Sequence, residues 1–113
     1  MSNPLTTHVL DTAAGRPAAA LPIQLERLVE GSFVYVGSGT TNEDGRLDAP
    51  LVREGWAAGV YRIRFDTAAY FKSYGSTGFY PYVEVVFEVQ NPDEHHHVPL
   101  LLSPYGYSTY RGS

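Results

Sequence analysis

The sequence predicts an all-β sandwich interrupted by one short helix, and three observations predict it. Apolar and polar residues alternate with period two through most of the chain. Gly, Pro, Asn and Asp clusters recur between the alternating stretches, as short strands require. A single segment, Asp66–Gly75, breaks the pattern. The chain has 113 residues, 43% of them hydrophobic, which fits one domain over residues 1–113 with a core of its own. There is no cysteine. That excludes a disulfide scaffold, a thiolate metal site and a cysteine nucleophile.

Taken in order, Leu5–Leu10 is the first predicted strand. Ile23–Glu30 and Phe33–Gly37 follow, parted by the turn residues Gly31 and Ser32. Leu47–Ala49 is a short fourth strand. In Val60–Asp66, Tyr61, Ile63 and Phe65 alternate with Arg62, Arg64 and Asp66. In Tyr82–Val89, Val83, Val85, Phe87 and Val89 define the buried face. His97–Leu102 and Tyr107–Tyr110 bring the set to about eight. The helix is read from Asp66 as its cap, helix formers within, and Gly75 at the C′ position. Gly15-Arg16-Pro17 and Asn91-Pro92-Asp93 read as turns, and Asn42-Glu43-Asp44-Gly45 delivers Arg46 to the start of a strand.

Eight basic residues against twelve acidic ones give a net charge of −4. Seven of the eight are Arg, with Lys72 the exception, and they are scattered. A nucleic-acid or anionic-membrane partner would need a clustered positive footprint, so neither is expected. No stretch has the length of a membrane span, and the opening residues lack a signal-peptide pattern. The expected location is the cytoplasm.

The four histidines are His8 and the run His95-His96-His97. On a strand, His95 and His97 share a face and His96 takes the other. A solvated, His-rich strand start is the simplest reading. General acid–base chemistry comes second, since imidazole titrates near neutrality. A zinc site through His95, His97 and His8 comes third, because it needs a further carboxylate that no spacing singles out. Arg46 is ordinarily a solvated strand residue; functionally, its planar fork could hold carboxylate or ureide oxygens. Tyr105, Tyr107 and Tyr110 crowd the end of the chain, which points to a docked terminal strand. Left unpaired at an edge, such a strand invites association with another subunit.

Three segments together resemble the 5-hydroxyisourate hydrolases of the transthyretin-related family. They are Leu5-Thr6-Thr7-His8-Val9-Leu10-Asp11-Thr12-Ala13-Ala14-Gly15-Arg16-Pro17-Ala18, Thr41-Asn42-Glu43-Asp44-Gly45-Arg46, and the run from His97 to the closing Tyr110-Arg111-Gly112-Ser113. The Tyr70-Phe71 helix and the Phe79-Tyr80-Pro81 loop fit as well, so the resemblance spans nearly the whole chain. His96 departs from it, standing where relatives carry Tyr. The resemblance implies an eight-stranded transthyretin-like β-sandwich that assembles as a homotetramer, with its sites in a channel between dimers. It implies hydrolysis of 5-hydroxyisourate at the N1–C6 amide bond to 2-oxo-4-hydroxy-4-carboxy-5-ureidoimidazoline, with no cofactor or metal. The implied catalytic residues are His8, Arg46, His97 and Ser113, with Tyr110 lining the same site. Strict alternation separates Tyr110 from Ser113, so either the chain bends at Gly112, the favoured resolution, or the two residues serve the sites of different subunits. The alternative is a non-catalytic carrier of a small aromatic ligand. Such a site would favour apolar walls, whereas His8, Arg46 and His97 are polar and titratable.

Overall fold

The computed structural model describes residues 3–113 and places eight strands in two four-stranded sheets, with one helix beside them. The first sheet contains β1 (Leu5–Asp11), β2 (Arg16–Pro17), β7 (His96–Ser103) and β8 (Gly106–Thr109), in the order β2-β1-β7-β8. The second contains β3 (Pro22–Val29), β4 (Ser32–Thr40), β5 (Gly59–Phe65) and β6 (Val83–Val89), in the order β4-β3-β5-β6. The expected sandwich with one helical excursion is therefore observed. Leu5, Val9, Leu100 and Leu102 from one sheet share a core with Leu25, Ile63, Phe65 and Val83 from the other. The alternation read in the sequence is the alternation buried: Tyr61, Ile63 and Phe65 are inside, while Arg62 and Arg64 pair with Glu26 and Glu84 outside. No described helix is long and apolar enough to cross a membrane.

Two expectations about strands change. Leu47–Ala49 is not a strand, and the eighth strand is instead Arg16–Pro17, which the sequence presents as a turn. Local side-chain bonding explains the first: the Asn42 carboxamide accepts from the N–H groups of Asp44 and Arg46 and donates to Asp48. Pairing explains the second, since Leu10 and Asp11 lie opposite Pro17 and Arg16 across a tight connection. The β3–β4 hairpin also turns one residue earlier than expected. Its loop is Glu30-Gly31, both at positive φ (50° and 83°), the conformation that matches the twist of a two-residue hairpin.

The helix α1 (Thr67–Ser73) begins and ends as its sequence requires. Asp66 accepts from the Ala69 N–H, and Gly75, at φ 70°, closes the C-terminus while its N–H donates to the Lys72 carbonyl. Tyr70 and Phe71 bury their rings. The Tyr70 hydroxyl donates to Asp11 Oδ2 at 2.7 Å, while the Ala14 N–H donates to Oδ1. Burial first, and the Asp11 bond second, push the Tyr70 phenol above its ordinary pKa, so it remains a donor. This bond ties the helix to the last residue of β1. Tyr70→Phe leaves Asp11 Oδ2 buried and unpartnered, and should cost about 1–3 kcal/mol in urea unfolding. An unchanged midpoint would contradict the link.

Candidate active site

The site begins with an uncommon pairing. β1 runs parallel to β7, with Thr6 beside His97 and His8 beside Pro99. On β1 the residues Leu5, Thr7, Val9 and Asp11 are buried, so Thr6 and His8 face outward. On β7, His96 and Val98 are buried and His97 faces outward. Residues from opposite ends of the chain thereby share the outer face of the first sheet. Inward-facing Thr7 satisfies its hydroxyl on the Val98 carbonyl at 2.7 Å, and His96 bonds the Glu94 carbonyl with its ring edge-on to Trp56. His96 thus belongs to the core.

Thr6 was not among the sequence candidates, yet its hydroxyl stands between two of them. Thr6 Oγ1 is 2.8 Å from His97 Nδ1 and 2.9 Å from His95 Nε2. The two imidazoles lie nearly parallel, 6.3 Å apart at 17°. His95 precedes β7 rather than lying on it, but it does share the His97 side as the spacing predicts. The pKa of His97 is lowered from its ordinary 6.5. Burial is the main cause, the Arg46 charge comes next, and His95 and His8 add to it; a backbone hydrogen bond with Thr6 works the other way. A neutral imidazole at neutral pH is the result, as a general base needs.

Arg46 arrives on a loop and not at a strand start. Its backbone is held at both ends by Asn42, whose side chain accepts from the Arg46 N–H and whose own N–H donates to the Arg46 carbonyl. The loop docks on β1 through a bond from the Val9 N–H to the Gly45 carbonyl at 2.9 Å. Gly45 is buried at φ 76°, and a Cβ there would collide with the Val9 carbonyl and press on the His8 ring. The Arg46 side chain is exposed and has no ion-pair partner among the described residues, in contrast to Arg62, Arg64 and Arg111. An unneutralised guanidinium beside two imidazoles suits an anionic or oxygen-rich ligand.

The tail docks as expected. β8 pairs with β7 as far as Thr109 opposite Leu100, and the pairing resumes at His97 opposite Gly112 in the same register. Pro99 lies in the gap and has no N–H to offer Tyr110. The register carries straight through to Gly112, and Tyr110 falls on the His97 face. Gly112 lies directly against the base. Its N–H donates to the His97 carbonyl, and any Cβ would run into the His97 ring. Ser113 follows, exposed and without a hydrogen bond among the described residues. A cleft of about 280 Å³ between β6 and the tail reaches His97 and Tyr110, while His8 and Arg46 lie outside it on the open face. No group of three or more His, Cys, Asp or Glu among the described residues is arranged to hold a metal.

This constellation on this sandwich accords with what comparison finds. The family model described as "HIUase/Transthyretin family" matches residues 5–112. The chain belongs to the HIUase/Transthyretin family. A relative named 5-hydroxyisourate hydrolase, from Halalkalibacterium halodurans, is 48% identical over 100% of both chains. Among solved structures, (S)-allantoin synthase superposes with a TM-score of 0.88 at 43% identity; 96% of this chain is covered, but the chain spans only 43% of that one. Sea bream transthyretin in complex with thyroxine superposes at 0.89 with 35% identity, over 96% of this chain and 94% of that one.

The HIUase/Transthyretin family sandwich thus carries His8, His95, His97, Arg46 and Tyr110 on one face, with Thr6 added by the structure. Thr6 could have been found only from the β1–β7 register, which local periodicity does not report. Because the Arg46 charge depresses the His97 pKa, Arg46→Ala should raise it toward 6.5. An imidazole titration by NMR reads this directly, and an unmoved His97 midpoint would show that the two groups are not coupled.

Proposed function

We propose that the outer face of the first sheet, with His97 as general base and Arg46 as oxyanion partner, is where this chain hydrolyses 5-hydroxyisourate. The observation that carries this reading is geometric: His8 and His97 share the outer face of the β1–β7 ladder, and the loop of Arg46, which has no ion-pair partner among the described residues, docks on β1 beside the His8 ring. His97 takes a proton from water, and the oxygen forms a bond to C6 of the substrate. The C6 oxyanion that develops lies near the Arg46 guanidinium, whose planar fork can also hold ureide oxygens. The N1–C6 bond then breaks, and the proton returns from the imidazolium to N1. The product is 2-oxo-4-hydroxy-4-carboxy-5-ureidoimidazoline. His8 is a second imidazole on the same face that can orient the water or share the proton. Tyr110 walls the site, and Ser113 contributes its hydroxyl as an orienting group. All the acid–base groups come from the chain itself, so the reading needs no cofactor.

The site is open in a single chain, and β6 and β8 each form the edge of a sheet. Tyr107 and Tyr110 are 42% and 58% exposed beside the free edge of β8. Exposed aromatic residues at an unpaired strand favour association. A homotetramer that pairs these edges and encloses the His8–His97 face completes the reading. A carrier of a small aromatic ligand is the contrasting function within the same fold, and the titratable character of this face argues against it.

The test is the ultraviolet decay of 5-hydroxyisourate generated in situ, corrected for its spontaneous loss. His97→Ala should lower kcat/KM by ~10²–10⁴-fold, and Arg46→Ala by ~10²–10³-fold, with both variants still folded. Near-normal rates in both would refute the assignment.

A further inference from the structure

We propose that Thr6 is a positioning residue that holds His97 in the Nδ1–H tautomer, with His95 as the acceptor that orients the Thr6 hydroxyl. The inference rests on His97 serving as the base, and it deepens that reading by saying what makes the base competent.

A threonine hydroxyl has one proton to give and two lone pairs to receive with. Here two imidazole nitrogens compete for it, His97 Nδ1 at 2.8 Å and His95 Nε2 at 2.9 Å. If Thr6 donated to His97, the His97 proton would sit on Nε2 and the ring would have no free lone pair for water. If Thr6 instead accepts from His97 Nδ1–H, Nε2 is left as the base, on the ring edge beside Gly112. The hydroxyl proton then goes to His95 Nε2, which sets His95 with its own proton on Nδ1. His95 is exposed, so water can satisfy that outer nitrogen. One polarity therefore satisfies both rings and leaves the reactive nitrogen free.

The surroundings leave this task to Thr6. The groups facing His97 are His8 on β1, His95 before β7 and Arg46 on its loop, and Tyr110 and Arg111 of the tail share its cleft. Glu94, the nearest carboxylate in sequence, is paired with Arg111 at 3.1 Å. No Asp or Glu hydrogen-bonds the His97 ring among the described residues. In hydrolytic triads a carboxylate fixes the tautomer of the base. A neutral hydroxyl can do the same while raising the basicity of the ring less than a carboxylate charge would, so the His97 pKa stays lowered by burial and by the Arg46 charge. The outward place of Thr6 on β1, directly beside His97, and its stiff χ1 hold the oxygen where the ring needs it.

The experiment compares the intact chain with Thr6→Val and Thr6→Ser. Long-range nitrogen–proton NMR should show His97 protonated on Nδ1 in the parent chain and in Thr6→Ser, and a mixture of tautomers in Thr6→Val. Thr6→Val should lose roughly tenfold in kcat with KM little changed. Its acid limb should move to lower pH, because the imidazolium has lost an acceptor. Thr6→Ser should stay within about twofold of the parent. An unchanged tautomer and kcat in Thr6→Val would overturn the proposal, as would a Thr6→Ser variant no better than Val. The tautomer is read without substrate, so a parent chain lacking hydrolase activity would sink the function reading and leave this test intact.

Discussion

The structure depends first on the parallel ladder between β1 and β7. Seven residue pairs, from Leu5–His96 to Asp11–Leu102, join segments from opposite ends of the chain. A parallel pair needs a long crossover, and here β2, the whole second sheet and the helix form that connection. The inward residues Leu5, Val9, Val98, Leu100 and Leu102 of the two strands join the core, and the outward ones supply His8 and His97. Site and core are thus two faces of one ladder. A one-residue slip would exchange them, burying His8 and His97 and exposing Val9 and Val98. The fold therefore resists such a slip with the full weight of its core.

Everything else at the site hangs on that ladder by backbone contacts. The Arg46 loop is fastened to β1 at Val9, and the tail to β7 at His97. Each attachment uses a glycine where a side chain would strike the neighbour: Gly45 against the Val9 carbonyl and the His8 ring, Gly112 against the His97 ring. Gathering three imidazoles and a guanidinium on one face has an electrostatic consequence. Positive and protonatable groups disfavour one another's charged forms, and partial burial adds to that at His97. The same crowding that keeps His97 neutral leaves Arg46 free to meet negative charge.

Where strands are half-buried, the sequence was legible. Val60–Asp66 and Tyr82–Val89 alternate cleanly because one face meets the core and the other meets Arg62, Arg64 and Glu84. The helix was legible because its two ends, Asp66 and Gly75, are local signals. Leu47–Ala49 and Arg16–Pro17 were misread because their states are decided by partners elsewhere: the Asn42 side chain in one case, the end of β1 in the other. The site divides the same way. His8, Arg46, His97 and Tyr110 stood out by residue type and by family likeness, and the structure brings them to one face. Thr6 did not, because its value lies wholly in a cross-strand neighbour about ninety residues away. Pro99 interrupts the ladder without breaking register, which keeps Tyr110 on the His97 face as far as the bridge at Gly112.

The central claim is that this ladder presents His97 as a neutral base. The most direct measurement is kcat/KM for 5-hydroxyisourate decay as a function of pH, with the spontaneous rate subtracted at each point. The acid limb of that profile reports the base in the free protein. With the His97 pKa lowered from 6.5, its neutral form persists as pH falls past that value, so activity should hold there and fall only below it. A limb at or above 6.5, or a profile with no acid limb, would contradict the account.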